Sequence, residues 1–297
     1  MHRLLILLIR PLRGIASWLS QQGLLPAFIR LKAPYTWRLG PASILVPGHQ
    51  SILLTVTKDD DIGKELFWSG LRDWESETLR LFKPLIQQSS VFVDVGSNSG
   101  IYSLLAARMN PQIRCLAFEP VPEVHQILQS NIARNGFGHL ITARPQAVGD
   151  RCGQVSFHVS EDPTMSSLNP DGYRNRPGRV ITVDLITLDE LIKEKIEPDL
   201  IKIDVESFED AVLRGMPQIL NRCRPILLLE CNSDGPAEAI EAILSPLHYQ
   251  FFHLTGKGPE RRNHIVPDPD NYFRNWLVVP PNRDLPTLKP QPAMHHG

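Results

Sequence analysis

From Val91 onward, apolar and polar positions fall into alternating short and long patterns. "VFVDV" (91–95) is a brief apolar run rich in β-branched residues and predicts a strand, and "IYSLLAARM" then carries helical spacing up to Asn110-Pro111. "IRCLAFE" predicts a second strand, and "PEVHQILQSNIARNG" a helix opened near Pro122 and stopped by Gly136. Strand, helix, strand, helix implies a parallel sheet covered on both faces. "HLITARPQAVGD" predicts a third strand, after which the alternation breaks. "GQVSFHVS" and "RVITVDL" read as an antiparallel pair joined by a polar loop from Glu161 to Gly178. "TLDELIKEKI" predicts a helix, with Thr187 and Glu190 spaced as a capping box. "DLIKIDVE", "FEDAVLRGMPQILNR" and "PILLLEC" add a strand, a helix and a strand, and strands near Tyr249–Leu254 and Trp276–Val279 complete the sheet. The fold class expected is α/β: a doubly wound, mostly parallel sheet with an inserted antiparallel hairpin and an N-terminal extension.

Upstream, "SILLTV" predicts a strand and "DWESETLRLFKPLI" a helix feeding the first sheet strand. The expected division is an N-terminal extension over 1–70, the sheet domain over 71–280, and a Pro-rich, unfolded tail over 281–297. A hydrophobic fraction of 42% with 21% charged residues is ordinary for a soluble chain able to bury a large core.

Charge changes the picture of the extension. The net charge is −1, yet no Asp or Glu precedes Asp59, while Arg3, Arg10, Arg13, Arg30, Lys32, Arg38 and Lys58 do. In "MHRLLILLIRPLRGIASWL" a helix would gather His2, Arg3, Arg10 and Arg13 on one face and Leu4, Leu8, Leu12, Ile15 and Leu19 on the other. Such a face suits a membrane surface. The run Leu4 to Ile9 is too short to span a bilayer, which needs roughly 20 residues. An organelle transit peptide, or a helix packed on its own domain, are the other readings. The four cysteines show no paired spacing and the ten histidines no zinc pattern, so the thiols read as reduced and the location as cytoplasmic, with peripheral membrane contact through the N-terminus left open.

The candidate chemistry begins at "VFVDVGSNSGIYS". In a doubly wound sheet, ligands sit outside the carboxyl ends of the strands where the winding reverses. Gly96 and Gly100 are read as leaving room for a ligand beside the backbone. A dinucleotide fingerprint would require G-x-G-x-x-G, and Asn98 stands where its middle glycine would be. Asp94, ahead of the turn, would repel a pyrophosphate but attract the ammonium of an amino-acid moiety. Glu119, ending the second strand, stands where such sheets place a carboxylate that accepts both ribose hydroxyls. An adenosine with a cationic amino-acid tail satisfies both acids, which points to S-adenosylmethionine.

"VDVGSNSGIYSLLAA", "AFEPVPEVHQILQSNIARN", "AVGD", "TLDEL", "LIKIDVESFEDAVLRG" and "RPILLLE" together resemble the FkbM-type methyltransferases, in order and spacing, over roughly residues 70 to 255. The resemblance implies a Rossmann-like methyltransferase sheet and O-methylation of a hydroxyl on a sugar, glycan or secondary metabolite with S-adenosylmethionine. It also implies that Asp94, Gly96, Ser97, Asn98 and Gly100 hold the methionine part, Glu119 with Pro120 the ribose, and Gln146, Ala147 and Val148 the adenine edge. Glu75 resembles the family's acid before the first strand. Ser207 departs from the family's usual Gly in "DVEG", which bears on acceptor size.

Methyl transfer from a sulfonium needs proximity and a route for the acceptor's proton. Strand alternation would put Lys202, Asp204 and Glu206 on one face of "IKIDVE". Three ionisable groups on one face of a central strand are costly to bury outright, and a pocket at the strand's end resolves this. Asp204 is the expected base or acceptor neighbour, Glu206 the orienting group or alternate base, and Lys202 a partner to one of them; a purely structural ion-pair network is the competing reading. Asp204, Glu206 and Glu230 could also hold a magnesium ion, although the metal-free route is the one expected. Ser166 and Ser167 resemble a family feature on the acceptor side. The rival functions are a non-catalytic S-adenosylmethionine-binding protein of the same fold and a nicotinamide-dependent oxidoreductase. No base-flipping motif or aromatic basic face points to nucleic acid.

Overall fold

The computed structural model describes residues 14–24, 40–57, 60–160, 178–281 and 283. The acid-free start through residue 13, the loop carrying Ser166 and Ser167, and most of the C-terminal tail lie outside the described residues.

After a helix over residues 14–21 come a hairpin, β1 (Gly40–Ile44) and β2 (Ile52–Val56), then helices α1 (Asp61–Ser69) and α2 (Ser76–Gln87). Strand β3 (Val91–Val95), α3 (Ile101–Met109), β4 (Arg114–Phe118), α4 (Pro122–Arg134) and β5 (Ile141–Arg144) follow as the pattern predicts. Next come β6 (Ala147–Val148), β7 (Gly153–Ser160), β8 (Gly178–Ile186), the short α5 (Glu190–Lys193), and β9 (Leu200–Ile203). The chain closes with α6 (Glu209–Arg214), α7 (Pro217–Arg222), β10 (Ile226–Glu230), α8 (Ala237–Leu244), β11 (Gln250–Thr255), β12 (Gly258–Arg262) and β13 (Asn275–Val279).

Eight strands form the main sheet in the order β12-β11-β13-β10-β9-β3-β4-β5. The chain winds outward from β3 through β4 to β5, then returns to place β9 on the other side of β3, so the winding reverses between β3 and β9. Here the registers set Asp94 beside Lys202 and Val95 beside Ile203. The edge beyond β10 is antiparallel. The predicted hairpin, β7 and β8, is antiparallel and forms a separate three-stranded sheet with β6.

Several expected elements are cut shorter. The third strand divides at Pro145, and only Ile141–Arg144 joins the main sheet, while Ala147–Val148 pairs with β8. Proline cannot donate to a ladder, so the break falls there. The capping box at Thr187 is not formed: α5 is one turn long, and Asp189 turns its carboxylate to the Gln218 and Ile219 amides, both at 3.0 Å, capping α7 instead. The helix after β9 divides at Gly215, where an added Cβ would lie 1.9 Å from the Gly149 carbonyl oxygen. Strands β1 and β12 and helix α1 were not foreseen from the pattern.

The sheet separates two large apolar layers. One holds Phe82, Phe92, Leu104 and Leu105; the other holds Val93, Ile201, Ile203, Leu227 and Trp276. Ile44, Ile52, Leu54, Leu66 and Phe67, from the hairpin and α1, belong to the first layer. Asn131 and Asn135 of α4 fasten β2 to the domain by accepting the Thr55 and Leu53 amides at 2.9 and 2.8 Å.

Candidate active site

At the carboxyl end of β3 the chain turns through Gly96, Asn98 and Gly100, all with positive φ (77°, 49° and 90°). Asn98 occupies the left-handed region at low cost because its side-chain oxygen accepts the Ser99 amide at 2.7 Å. The two glycines serve the protein's own packing rather than ligand room, which corrects the expectation. A Cβ on Gly96 would lie 1.8 Å from the Asp204 carbonyl oxygen, and one on Gly100 would lie 2.4 Å from Leu128 Cδ1. Gly96 thus lets the first turn press against the end of β9, and Gly100 seats α3 on α4.

The neighbouring strand locks the loop. The Gly96 and Ser97 amides donate to the Phe118 carbonyl at 3.1 and 2.9 Å. Glu119 accepts the Asn98 amide on one oxygen at 3.0 Å and the Val121 amide on the other at 2.9 Å. Burial pushes the Glu119 carboxyl up to about 7, against the pull of those two amides. Asp94, also buried, accepts from the Ser103 hydroxyl at 2.6 Å, and burial outweighs the nearby Lys202 ammonium to hold its pKa above the ordinary carboxylate value.

A cavity of about 200 Å³ opens over this loop. Of the residues singled out in the sequence, Glu75, Asp94, Gly96, Ser97, Asn98, Glu119, Pro120, Gln146, Ala147, Val148, Lys202, Asp204 and Glu206 all line it; Gly100 does not. Asp61, Ile62, Trp74, Tyr102, Phe157, Glu230 and Arg274 also line it. Arg274 lies ahead of the antiparallel strand β13, and no local pattern sets it apart from an ordinary surface arginine. Trp74 was not singled out in the sequence, and Glu75, expected in the helix leading to the first sheet strand, sits just before α2 at φ 40°. There it accepts from the Tyr102 hydroxyl and from Asn275 Nδ2, the latter at 3.1 Å.

Gln146 gives a direct test of cofactor fit. Its side-chain oxygen is buried without a hydrogen-bond partner in the cavity wall. An orphaned acceptor of this kind costs stability unless a ligand amino group meets it. With two carboxylates across the loop, the donor set fits an adenosine bearing an ammonium tail.

On the other side of the winding reversal, β9 stops at Ile203, so Asp204 and Glu206 reach the cavity from a turn and not by strand alternation. Glu206 and Ser207 take consecutive left-handed conformations (φ 54° and 66°), which explains why a glycine suits the second position. Lys202 Nζ donates to Asp204 at 2.7 Å and lies 4.7 Å from the centre of the Tyr102 ring. Arg274 pairs with Glu230 at 2.7 Å, and Asn232 reaches Glu206 at 3.4 Å. Burial alone would raise the Asp204 carboxyl, but Lys202, a hydrogen bond with Glu230 and Arg274 bring it down to about 2. Glu230 moves the other way, pushed up by burial and then by the Asp204 charge. Asp204, Glu206 and Glu230 bring oxygens within 4.8 Å of one another. Lys202 and Arg274 set their charges against Asp204 and Glu230.

The family model described as "Methyltransferase FkbM domain" matches residues 94–254. The hexuronic acid methyltransferase AglP of Haloferax volcanii is 30% identical over 173 residues, covering 58% of this chain and 68% of that protein. The 31-O-demethyl-FK506 methyltransferase FkbM of Streptomyces tacrolimicus is 27% identical over 191 residues, covering 54% of this chain and 72% of that one. A crystal structure of the methyltransferase FkbM from Methylobacillus flagellatus aligns with a TM-score of 0.44 at 17% identity, over 76% of this chain and 56% of that one. A Rossmann-like sheet carrying this site and matching this family model defines an S-adenosylmethionine-dependent methyltransferase. The chain belongs to the FkbM methyltransferase family.

Proposed function

We propose that the cavity holds S-adenosylmethionine along the β3–β4 side and the hydroxyl of a glycan or small metabolite along the β9–β10 side. The observation that carries this reading is the meeting of two unlike acidic groups in one cavity at the winding reversal. The cofactor supplies an electrophilic methyl group on a positively charged sulfur. Asp94 and the loop of residues 96–98 hold its amino-acid end, Glu119 its ribose, and Gln146 with Ala147 and Val148 its base.

On the acceptor side, Asp204 is held as a stable anion by Lys202, which makes it a good orienting acceptor for a hydroxyl and a weak proton sink. Glu206, on the same turn and bonded by Asn232 at 3.4 Å, is the alternate base and takes the proton. This assigns the roles in the order opposite to the first expectation from sequence. Lys202 positions Asp204 and does not touch the acceptor. The acceptor class draws on two relatives whose names refer to a hexuronic acid and to 31-O-demethyl-FK506. Among the described residues no helix is long and apolar enough to cross a membrane.

Transfer of labelled methyl from S-adenosylmethionine to a panel of neutral sugars, uronic acids and macrolides tests the reading. Label is expected in an oxygen-linked methyl of at least one class. Calorimetric cofactor binding with no transfer to any hydroxylated acceptor would leave a non-catalytic binding protein, and absence of both would remove the assignment.

A further inference from the structure

The described part of the N-terminal extension includes a helix over residues 14–21 whose faces are reversed. A helix that serves only its own domain buries its apolar side and leaves its polar side in water. Here Ser17, Ser20 and Gln21 are 4%, 0% and 8% exposed, while Ile15, Trp18 and Leu24 are 56%, 51% and 65% exposed. The inward side is held by polar bonds: Ser17 Oγ donates to the Phe67 carbonyl at 2.6 Å, Gln21 Nε2 to the Ser43 carbonyl at 3.0 Å, and Gln21 Oε1 accepts the Leu45 amide at 2.9 Å. The helix is therefore fixed on α1 and β1 in an orientation that turns its apolar side outward. Among the described residues, seven large hydrophobics are exposed, and three of them lie within this one stretch.

Charge identifies what meets that face. The helix follows a segment with Arg3, Arg10 and Arg13, and no acid precedes Asp59. Two residues beyond Leu45, the Pro47 carbonyl accepts from Lys83 at 3.5 Å, and His49 next to it is held below its ordinary pKa by burial and then by Lys83 and Arg108. Positive groups thus gather at the hairpin turn beside the helix. An outward apolar face with Trp, in a chain segment free of acids and rich in Arg, complements a bilayer bearing anionic headgroups. A second copy of the chain would set one acid-free segment against another.

We propose that the helix over 14–21 and the turn that follows it, inserting Ile15, Trp18 and Leu24, dock this enzyme on an anionic lipid bilayer. The geometry also sets the reach to the active site. The helix rests on Phe67 near the end of α1, and Asp61 and Ile62 at the start of α1 line the cavity. At about 1.5 Å per residue, the six residues from Asp61 to Phe67 set the helix's seat about 9 Å along α1 from the cavity lining. The inference does not depend on which acceptor is methylated.

Flotation of the full chain with vesicles of phosphatidylcholine alone, and with added phosphatidylserine, tests it alongside the double variant Ile15→Ser, Trp18→Ser. The parent is expected to float with the phosphatidylserine vesicles, less so as salt rises, and the variant to partition about tenfold more weakly. An unchanged melting temperature by circular dichroism would show that the variant remains folded. Absence of flotation on either vesicle, or equal flotation of parent and variant, would overturn the proposal. So would sedimentation showing that the substitutions only convert a dimer to monomer, because the face would then belong to a second copy.

Discussion

The two halves of the cavity hold their acids by opposite means. On the β3–β4 side, Asp94 and Glu119 are fixed by a hydroxyl and by backbone amides, and burial leaves both above the ordinary carboxylate range. On the β9–β10 side, Asp204 and Glu230 are paired with Lys202 and Arg274, and Asp204 is driven down to about 2. The first half is preorganised by neutral donors and leaves its negative charge for a cationic ligand to satisfy. The second sets its acids against side-chain cations, so Asp204 can stay ionised whether or not a ligand is bound. The difference separates binding from proton transfer within one small space.

The comparison breaks most sharply at Glu206. Glu206→Gln should lower kcat by about 10²- to 10⁴-fold while leaving the cofactor Kd within a few-fold, because only the proton route is removed. Equal turnover in the variant would return that role to Asp204. Next in size, Asp94→Asn should weaken cofactor binding by about 10- to 100-fold, the loss of a charge-assisted contact worth about 1.5–3 kcal/mol, measured by calorimetry.

A smaller effect concerns pH. Burial lifts Glu119 from the ordinary 4.5 to about 7, so the cofactor Kd should tighten as pH rises through about 7 and the carboxylate becomes able to accept hydroxyls. Stability of the cofactor-free protein should run the other way. A group whose folded pKa is raised gives stability that is full below its unfolded value and is lost as pH climbs through the folded one. Thermal melts and calorimetry across this range should therefore show opposite slopes, and Glu119→Gln should flatten both. Smallest, Ser207→Gly relieves a left-handed side-chain residue and should stabilise the chain by up to about 1 kcal/mol in chemical unfolding.

Much of this molecule was legible in its residues. The β-branched run at 91–95, the helical spacing from Ile101 and the Pro122 start gave β3, α3 and α4 their places, because these segments agree locally with the fold they enter. Asp94, Glu119 and the Gln146 segment could be picked out because their chemistry follows from position at strand ends. Strand β1, helix α1 and Arg274 were not legible, since each is stabilised by partners distant along the chain. The hairpin is held by Asn131 and Asn135, and Arg274 by Glu230.

Sequence alone therefore determined the winding of the sheet, the turn that carries the acids and the class of ligand they suit, because local propensity and charge decide such matters. Tertiary structure decided what the glycines are for, which carboxylate yields its basicity to a lysine, and that the helix over 14–21 faces outward with its apolar side. Those outcomes depend on distances between segments that only packing brings together.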